Sequence, residues 1–237
     1  MASESLSARF VRAYNQVDQV LRRKSKSDGT VGFAKMVRIL SAKGDSIIKQ
    51  HKNFLEEVAH LRNFFIHGEG VLEVEATPSE HTVVRLEQIA SNFLSPPKVV
   101  PLFQCDVQSC ASSDLLSVAV SIMKQNDFSQ LPVYDGDSFV GLLTTHTIAL
   151  YLADSFLADD FAMNVPIAEV LKYHDKQENC FFLTRDCSLF ETIDKIESAM
   201  KAGTIFVAAI ITATGEISQA PIGIVTVSDV PVLRSHL

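Results

Sequence analysis

No stretch of this chain offers the ~18 uninterrupted apolar residues that a membrane span requires, so no membrane association is expected. The opening residues Met1-Ala2-Ser3-Glu4-Ser5 lack both the basic and the apolar region of a secretory signal, and a cytoplasmic location is expected. Cysteine is scarce, being confined to Cys105, Cys110, Cys180 and Cys187. Their spacings are not those of a zinc ribbon, and no His follows at finger spacing. Free thiols and no bound metal are the expectation, with a metal or redox role as the alternative. Positive charge is scarce in one part of the chain: residues 99–237 hold 7 Lys and Arg against 17 Asp and Glu. That balance excludes broad nucleic-acid binding there, whereas residues 1–98, with 14 against 11, tolerate it.

What is present suits a globular protein, with 47% hydrophobic and 21% charged residues. At 237 residues the chain fits two compact domains of roughly 100–150 residues each. The break falls at Ser95-Pro96-Pro97. Residues 1–97 show helical periodicity from Leu6 to Arg23, then from Val31 to Ala42, and again from Asp45 to His67, where Gly68 reads as the closing residue. Thr77-Pro78-Ser79-Glu80 reads as a capping box with Pro at the first helical position, opening a last helix that stops before Ser95. An all-α bundle of about four helices results. On the long third helix, Glu56, His60, Asn63 and His67 share a stripe within roughly 60° of one another, since each residue turns by about 100°. Phe54, Val58, Leu61 and Phe65 form the apolar side, with Arg62 between the two. Solvated surface and a symmetric dimer interface both account for the polar stripe.

Residues 98–237 contain one unit twice. Gly223-Ile224-Val225-Thr226-Val227-Ser228-Asp229 is an apolar run ending in hydroxyls and a carboxylate, the layout of a strand feeding a helix N-terminus that favours an anion. Gly141-Leu142-Leu143-Thr144-Thr145-His146-Thr147 precedes it by 82 residues, with Thr147 in the place of Asp229. The first copy (residues 98–160) reads as strand Lys98–Phe103, helix Ser113–Lys124, a hairpin around Asp135-Gly136-Asp137, and a helix from Thr145. The second (residues 161–237) repeats this with a strand at Cys180–Thr184 and a capping box at Ser188-Leu189-Phe190-Glu191. Leu115 and Leu189 lie only 74 residues apart, so about eight extra residues fall in the second hairpin, at Thr212–Gln219. The fold class is α+β: a helical bundle followed by a duplicated β-α-β-β-α pair.

The duplication, the segment Ser129-Gln130-Leu131-Pro132-Val133-Tyr134-Asp135 and the two Gly-x-x-Thr units resemble the CBS domain, whose tandem pairs commonly bind adenine nucleotides. The resemblance implies AMP, ADP or ATP as ligand, ahead of NAD or S-adenosylmethionine. Thr226 and Ser228 would contact phosphate and Asp229 the ribose hydroxyls. Val107, Phe128, Ser129 and Gln130 would form the slot for the base. A second site would use Thr144, His146 and Thr147, with no carboxylate for the ribose. Without a ligand, Thr226 and Asp229 read as helix caps and His146 as an ordinary residue at a helix start. In the N-terminal part, Arg62-Asn63-Phe64-Phe65-Ile66-His67 and the Ala76-x-Pro78 segment are similar to HEPN-type helical bundles. That similarity implies a homodimer and, for members that cleave RNA without metal, His67 as acid or base, Arg62 on the phosphate and Asn63 orienting the His. Glu69 stands where such members often have Tyr. Three functions follow: a nucleotide-sensing regulatory protein, a nucleotide-gated endoribonuclease, or a dimeric scaffold.

Overall fold

The structure is a computed structural model describing residues 4–27, 29–67, 77–157 and 164–236, with the side chains of 64–67 and 178–179 outside the described set. Gly68, Glu69 and Ala76 therefore lie outside the described residues, as does the His67 side chain. The chain divides into two compact units, Met1–Pro97 and Lys98–Leu237. No helix among the described residues is long and apolar enough to cross a membrane.

The first unit is helical. Helix α1 (Leu6–Ser25) starts where Ser5 Oγ accepts from Ala8 N–H at 3.2 Å and ends at Lys26, whose φ of 53° is left-handed. Helices α2 (Phe33–Ala42), α3 (Ser46–His67) and α4 (Glu80–Leu94) follow. Helix α1 packs on α2 and α4, and α2 packs on α3. Phe10, Val17, Met36, Ile48, Leu55 and Leu86 are buried in their shared core. One local expectation shifts. The cap of α4 is Ser79, whose Oγ accepts from Thr82 N–H at 3.2 Å, so Pro78 stands outside the helix rather than at its first position. On α3, Val58 is buried with Ile48, Leu55 and Ala59, the partly buried Phe54 and Leu61 pack against the same core, and the Phe65 side chain lies outside the described set. The Arg85 guanidinium lies 4.2 Å from the Phe54 ring centroid and covers its outer side.

The second unit mixes helix and strand. Its first half runs α5 (Val99–Leu102), α6 (Leu116–Asn126), β1 (Gln130–Asp135), β2 (Ser138–Thr144) and α7 (Thr145–Leu157). Its second half runs α8 (Ile167–Val170), β3 (Glu178–Thr184), α9 (Leu189–Lys201), β4 (Ile205–Thr212), β5 (Gly223–Thr226) and α10 (Val230–Ser235). Strands β1 and β2 pair antiparallel; β4 pairs parallel with β3 and antiparallel with β5. The extra residues of the second hairpin lie between β4 and β5.

The strand expected at Lys98–Phe103 is instead the short turn α5, closed by Phe103 N–H donating to the Val99 carbonyl at 2.8 Å. Pro101 has no N–H to give to a ladder, which disfavours a strand there. The first half keeps its parallel pairing only at Cys110, which receives a bond from Tyr134 N–H at 2.8 Å and donates to the Pro132 carbonyl at 3.1 Å.

The two halves exchange their leading segments. Val99 N–H donates to the Cys187 carbonyl at 2.9 Å, and the Val99 side chain is buried in the core of the second half with Leu189, Ile193 and Ile211. Reciprocally, Ile167 N–H donates to the Asp114 carbonyl at 2.8 Å, and Ile167 and Val170 fill the core of the first half beside Leu116 and Leu131. Each half thus completes the other's core.

Candidate ligand-binding site

Strand β5 ends at Thr226 and passes directly into a 3-10 turn, Val227–Asp229, that leads into α10. The β-branched run Ile224-Val225-Thr226 favours the strand, and Pro231 in the first turn of α10 is well placed for a helix start. Asp229 closes the junction: its Oδ2 accepts from Thr226 N–H at 2.7 Å and from the Thr226 hydroxyl at 2.9 Å. The capping role is thus real. It engages one carboxylate oxygen, and among the described residues no donor reaches the other.

The other wall comes from the first half. Helix α6 ends on Asp127 in the left-handed region (φ 57°), and the chain then turns through Phe128 and Ser129 into β1. The Ser129 carbonyl accepts from Thr145 N–H at 2.9 Å and its hydroxyl donates to Gln130 Oε1, which fixes this corner. The third wall is Leu102 to Gln108, running beside β5 through Cys105 N–H donating to the Ile222 carbonyl at 3.3 Å. Gly223 permits this approach: a Cβ there would sit 2.2 Å from the Phe103 carbonyl oxygen.

These walls enclose a cavity of about 500 Å³, within the range of small-molecule sites. Thr226, Ser228, Asp229, Val107, Phe128, Ser129 and Gln130 all line it. Phe128 and Val107 supply apolar surface, Gln130 an amide, and Asp229 an open carboxylate oxygen. Sequence reasoning missed Asp106 and Asp127, which also line the cavity. An Asp at a left-handed helix end reads as a local turn, and Asp106 lies outside any periodic segment, so neither gave a signal.

Thr144, His146 and Thr147, the second set, sit where β2 passes into α7. Thr147 is fully buried and Thr144 nearly so. Their hydroxyls lie 3.0 Å apart, and Thr144 Oγ1 accepts from Thr147 N–H at 3.0 Å. This pair repeats the Thr226–Asp229 cap with a hydroxyl in place of the carboxylate. His146 points elsewhere, with Nε2 3.6 Å from Asp175 Oδ2.

In the helical unit, the Arg62 guanidinium lies 4.8 Å from the Tyr14 ring centroid, and Asn63 is exposed. Burial pushes the Tyr14 phenol up to about 12, against the opposing charge of Arg62. All four cysteines are free. Burial raises the thiol pKa of Cys110 and Cys187, and takes that of Cys180 to about 12, which makes these three poor nucleophiles. No metal-ligating cluster occurs among the described residues.

Three solved structures resemble part of the chain. The CBS domain of a bacterial CNNM/CorC family Mg2+ transporter in complex with ATP is 16% identical, with 59% of this chain and 88% of that chain covered and a TM-score of 0.43. CBSX2 in complex with AMP is 13% identical, covering 59% and 96%, at a TM-score of 0.43. The CBS domain pair of protein MJ0100, in complex with 5′-methylthioadenosine and S-adenosyl-L-methionine, is 14% identical, covering 59% and 97%, at 0.42. No curated protein sequence matches the chain. The family model of the CBS domain matches residues 102–154, and that stretch of the chain is a CBS domain.

Proposed function

We propose that the chain is a ligand-sensing regulatory protein whose residues 98–237 form a CBS pair binding one adenine nucleotide or related adenosine compound. The observation that carries this reading is the convergence of Thr226, Ser228 and Asp229 with Val107, Phe128, Ser129 and Gln130 on one cavity. A ribose diol needs an acceptor for its hydroxyls, and the outward oxygen of Asp229 is one. Phe128 and Val107 give an adenine ring an apolar slot, and Gln130 can meet its polar edge. The ATP, AMP and adenosyl ligands of the three solved structures belong to the same class.

Regulation would follow from the third wall. Leu102 to Asp106 is reached within a few residues of Pro96-Pro97, so a ligand that fixes this wall also fixes the segment entering from the helical unit. Only differential affinity for two arrangements of that segment would drive a switch. Calorimetric titration with AMP, ADP and ATP tests the site. Asp229→Ala is expected to abolish binding, and unchanged affinity in that variant would overturn the assignment.

For the helical unit we propose an HEPN-like module that dimerises the protein. The endoribonuclease reading, with Arg62, Asn63 and His67, is supported by the exposure of Asn63 on the face next to Arg62. Arg62 would have to leave its contact with Tyr14 to reach an RNA phosphate. RNA cleavage in chelator that disappears in His67→Ala, with the fold retained, is the result that would establish it. Its absence in the unsubstituted protein, with or without nucleotide, leaves the dimeric module.

A further inference from the structure

The cavity has an electrostatic character that its residue types reveal only once they are brought together. Asp106 and Asp127, both exposed, and Asp229 line it, and among the described residues no Lys, Arg or His does. Five cations of the same unit are engaged elsewhere, and the other three, Lys124, Lys176 and Arg185, are not among the lining residues. Lys98 lies 2.6 Å from Asp186, Lys172 lies 2.5 Å from Glu169, and Lys201 and Arg234 both turn to Glu197. Lys195 sits over the Phe181 ring. The Thr226 hydroxyl, the group expected to donate to a phosphate, donates instead to Asp229. Ser228 is then the one lining hydroxyl at the junction left to meet an anion. Helix α10 behind the junction has only 6 residues, so little dipole accumulates there.

We infer that this cavity selects adenosine compounds whose 5′ substituent is neutral or cationic, a sulfonium nucleoside above all, and discriminates against nucleoside polyphosphates. The inference rests on the adenosine reading above and narrows its ligand class. An ATP tail would place several negative charges among three carboxylates with no counter-charge from the lining. A sulfonium carries its positive charge one bond beyond the ribose, within the same acidic surroundings. Each like-charge encounter in a partly solvated cleft is worth roughly fourfold in affinity at separations near ~7 Å, so the accumulated preference is expected to exceed about tenfold.

The test is a calorimetric series on the full chain with adenosine, S-adenosylmethionine, AMP and ATP, at low salt, first with chelator and then with Mg2+. S-adenosylmethionine is expected to bind at least about tenfold tighter than ATP, with the gap shrinking as salt shortens the Debye length from ~30 to ~8 Å. The double variant Asp106→Asn/Asp127→Asn is expected to narrow the gap in favour of ATP, with its thermal unfolding checked in parallel. ATP binding as tightly as S-adenosylmethionine in chelator overturns the inference while leaving the adenosine site standing. A ratio unmoved by the folded double variant, or ATP becoming the tightest ligand once Mg2+ is added, overturns it equally. Failure of all four compounds to bind removes the adenosine reading itself.

Discussion

Asp229 and Thr147 occupy matching places, yet their surroundings give the two positions opposite prospects. Asp229 is half-buried, lines the cavity and engages one oxygen with Thr226. Thr147 is fully buried and bonded to Thr144. Introducing the missing carboxylate by Thr147→Asp is therefore expected not to create a second site. It should instead cost about 3 kcal/mol or more, because a carboxylate would be buried there without a cation. Chemical denaturation read beside nucleotide stoichiometry checks both parts, and a stable variant binding two equivalents would refute the expectation. A second residue sets acid sensitivity. Burial, together with the nearby Arg85 charge, lowers the His51 pKa from 6.5 to about 4. The unfolded chain binds this proton more readily than the folded one, so its contribution is intact above about pH 6.5 and declines as pH falls toward 4. A loss on the order of 2 kcal/mol is expected across that window. Denaturation of wild type and His51→Leu at several pH values tests it, the variant losing less stability on acidification.

Elements were legible in the sequence where local chemistry and tertiary packing agree. The Ser188–Glu191 capping box forms as read, with the Ser188 hydroxyl accepting from Glu191 N–H and the Glu191 carboxylate accepting from Ser188 N–H. The hairpin around Gly136 likewise depends only on residues next to one another, with Gly136 at φ 60°. Legibility failed where a partner distant in sequence decides the outcome. Lys98–Phe103 has the apolar, β-branched composition of a strand, but its site against the second half and Pro101 make it a turn. The Arg85–Phe54 contact was likewise not legible, since nothing near Phe54 in the chain announces Arg85. The Asp106 wall was invisible for the same reason: a backbone approach to Gly223 brings it to the cavity. Gly223→Ala tests that approach. The added methyl meets a carbonyl oxygen rather than a flexible side chain, so the leading segment must move from β5. A loss of about 1–3 kcal/mol is expected, together with weaker nucleotide binding measured by calorimetry. Unchanged stability and affinity would show that the segment yields freely.

At the scale of the molecule, the cores are separate: one from α1 to α4, and two in residues 98–237, each completed by the leading segment of the other half. Residues 98–237 produced alone are expected to unfold cooperatively and to retain the ligand affinity of the full chain. Residues 98–160 produced alone are expected not to fold, since the core around Leu116 and Leu131 then lacks Ile167 and Val170. Circular dichroism and amide exchange on the two fragments decide this, and a cooperatively folded 98–160 would refute it. The exchanged leading segments also carry a consequence for synthesis. Lys98 finds Asp186 only 88 residues later, and translation at ~5–20 residues per second takes several seconds to supply that partner. The stretch that joins the helices to the ligand cavity is thus made early and docked late. A nascent chain gains the third wall of this cavity only after β5 has emerged, so the cavity takes shape late in the synthesis of the second unit.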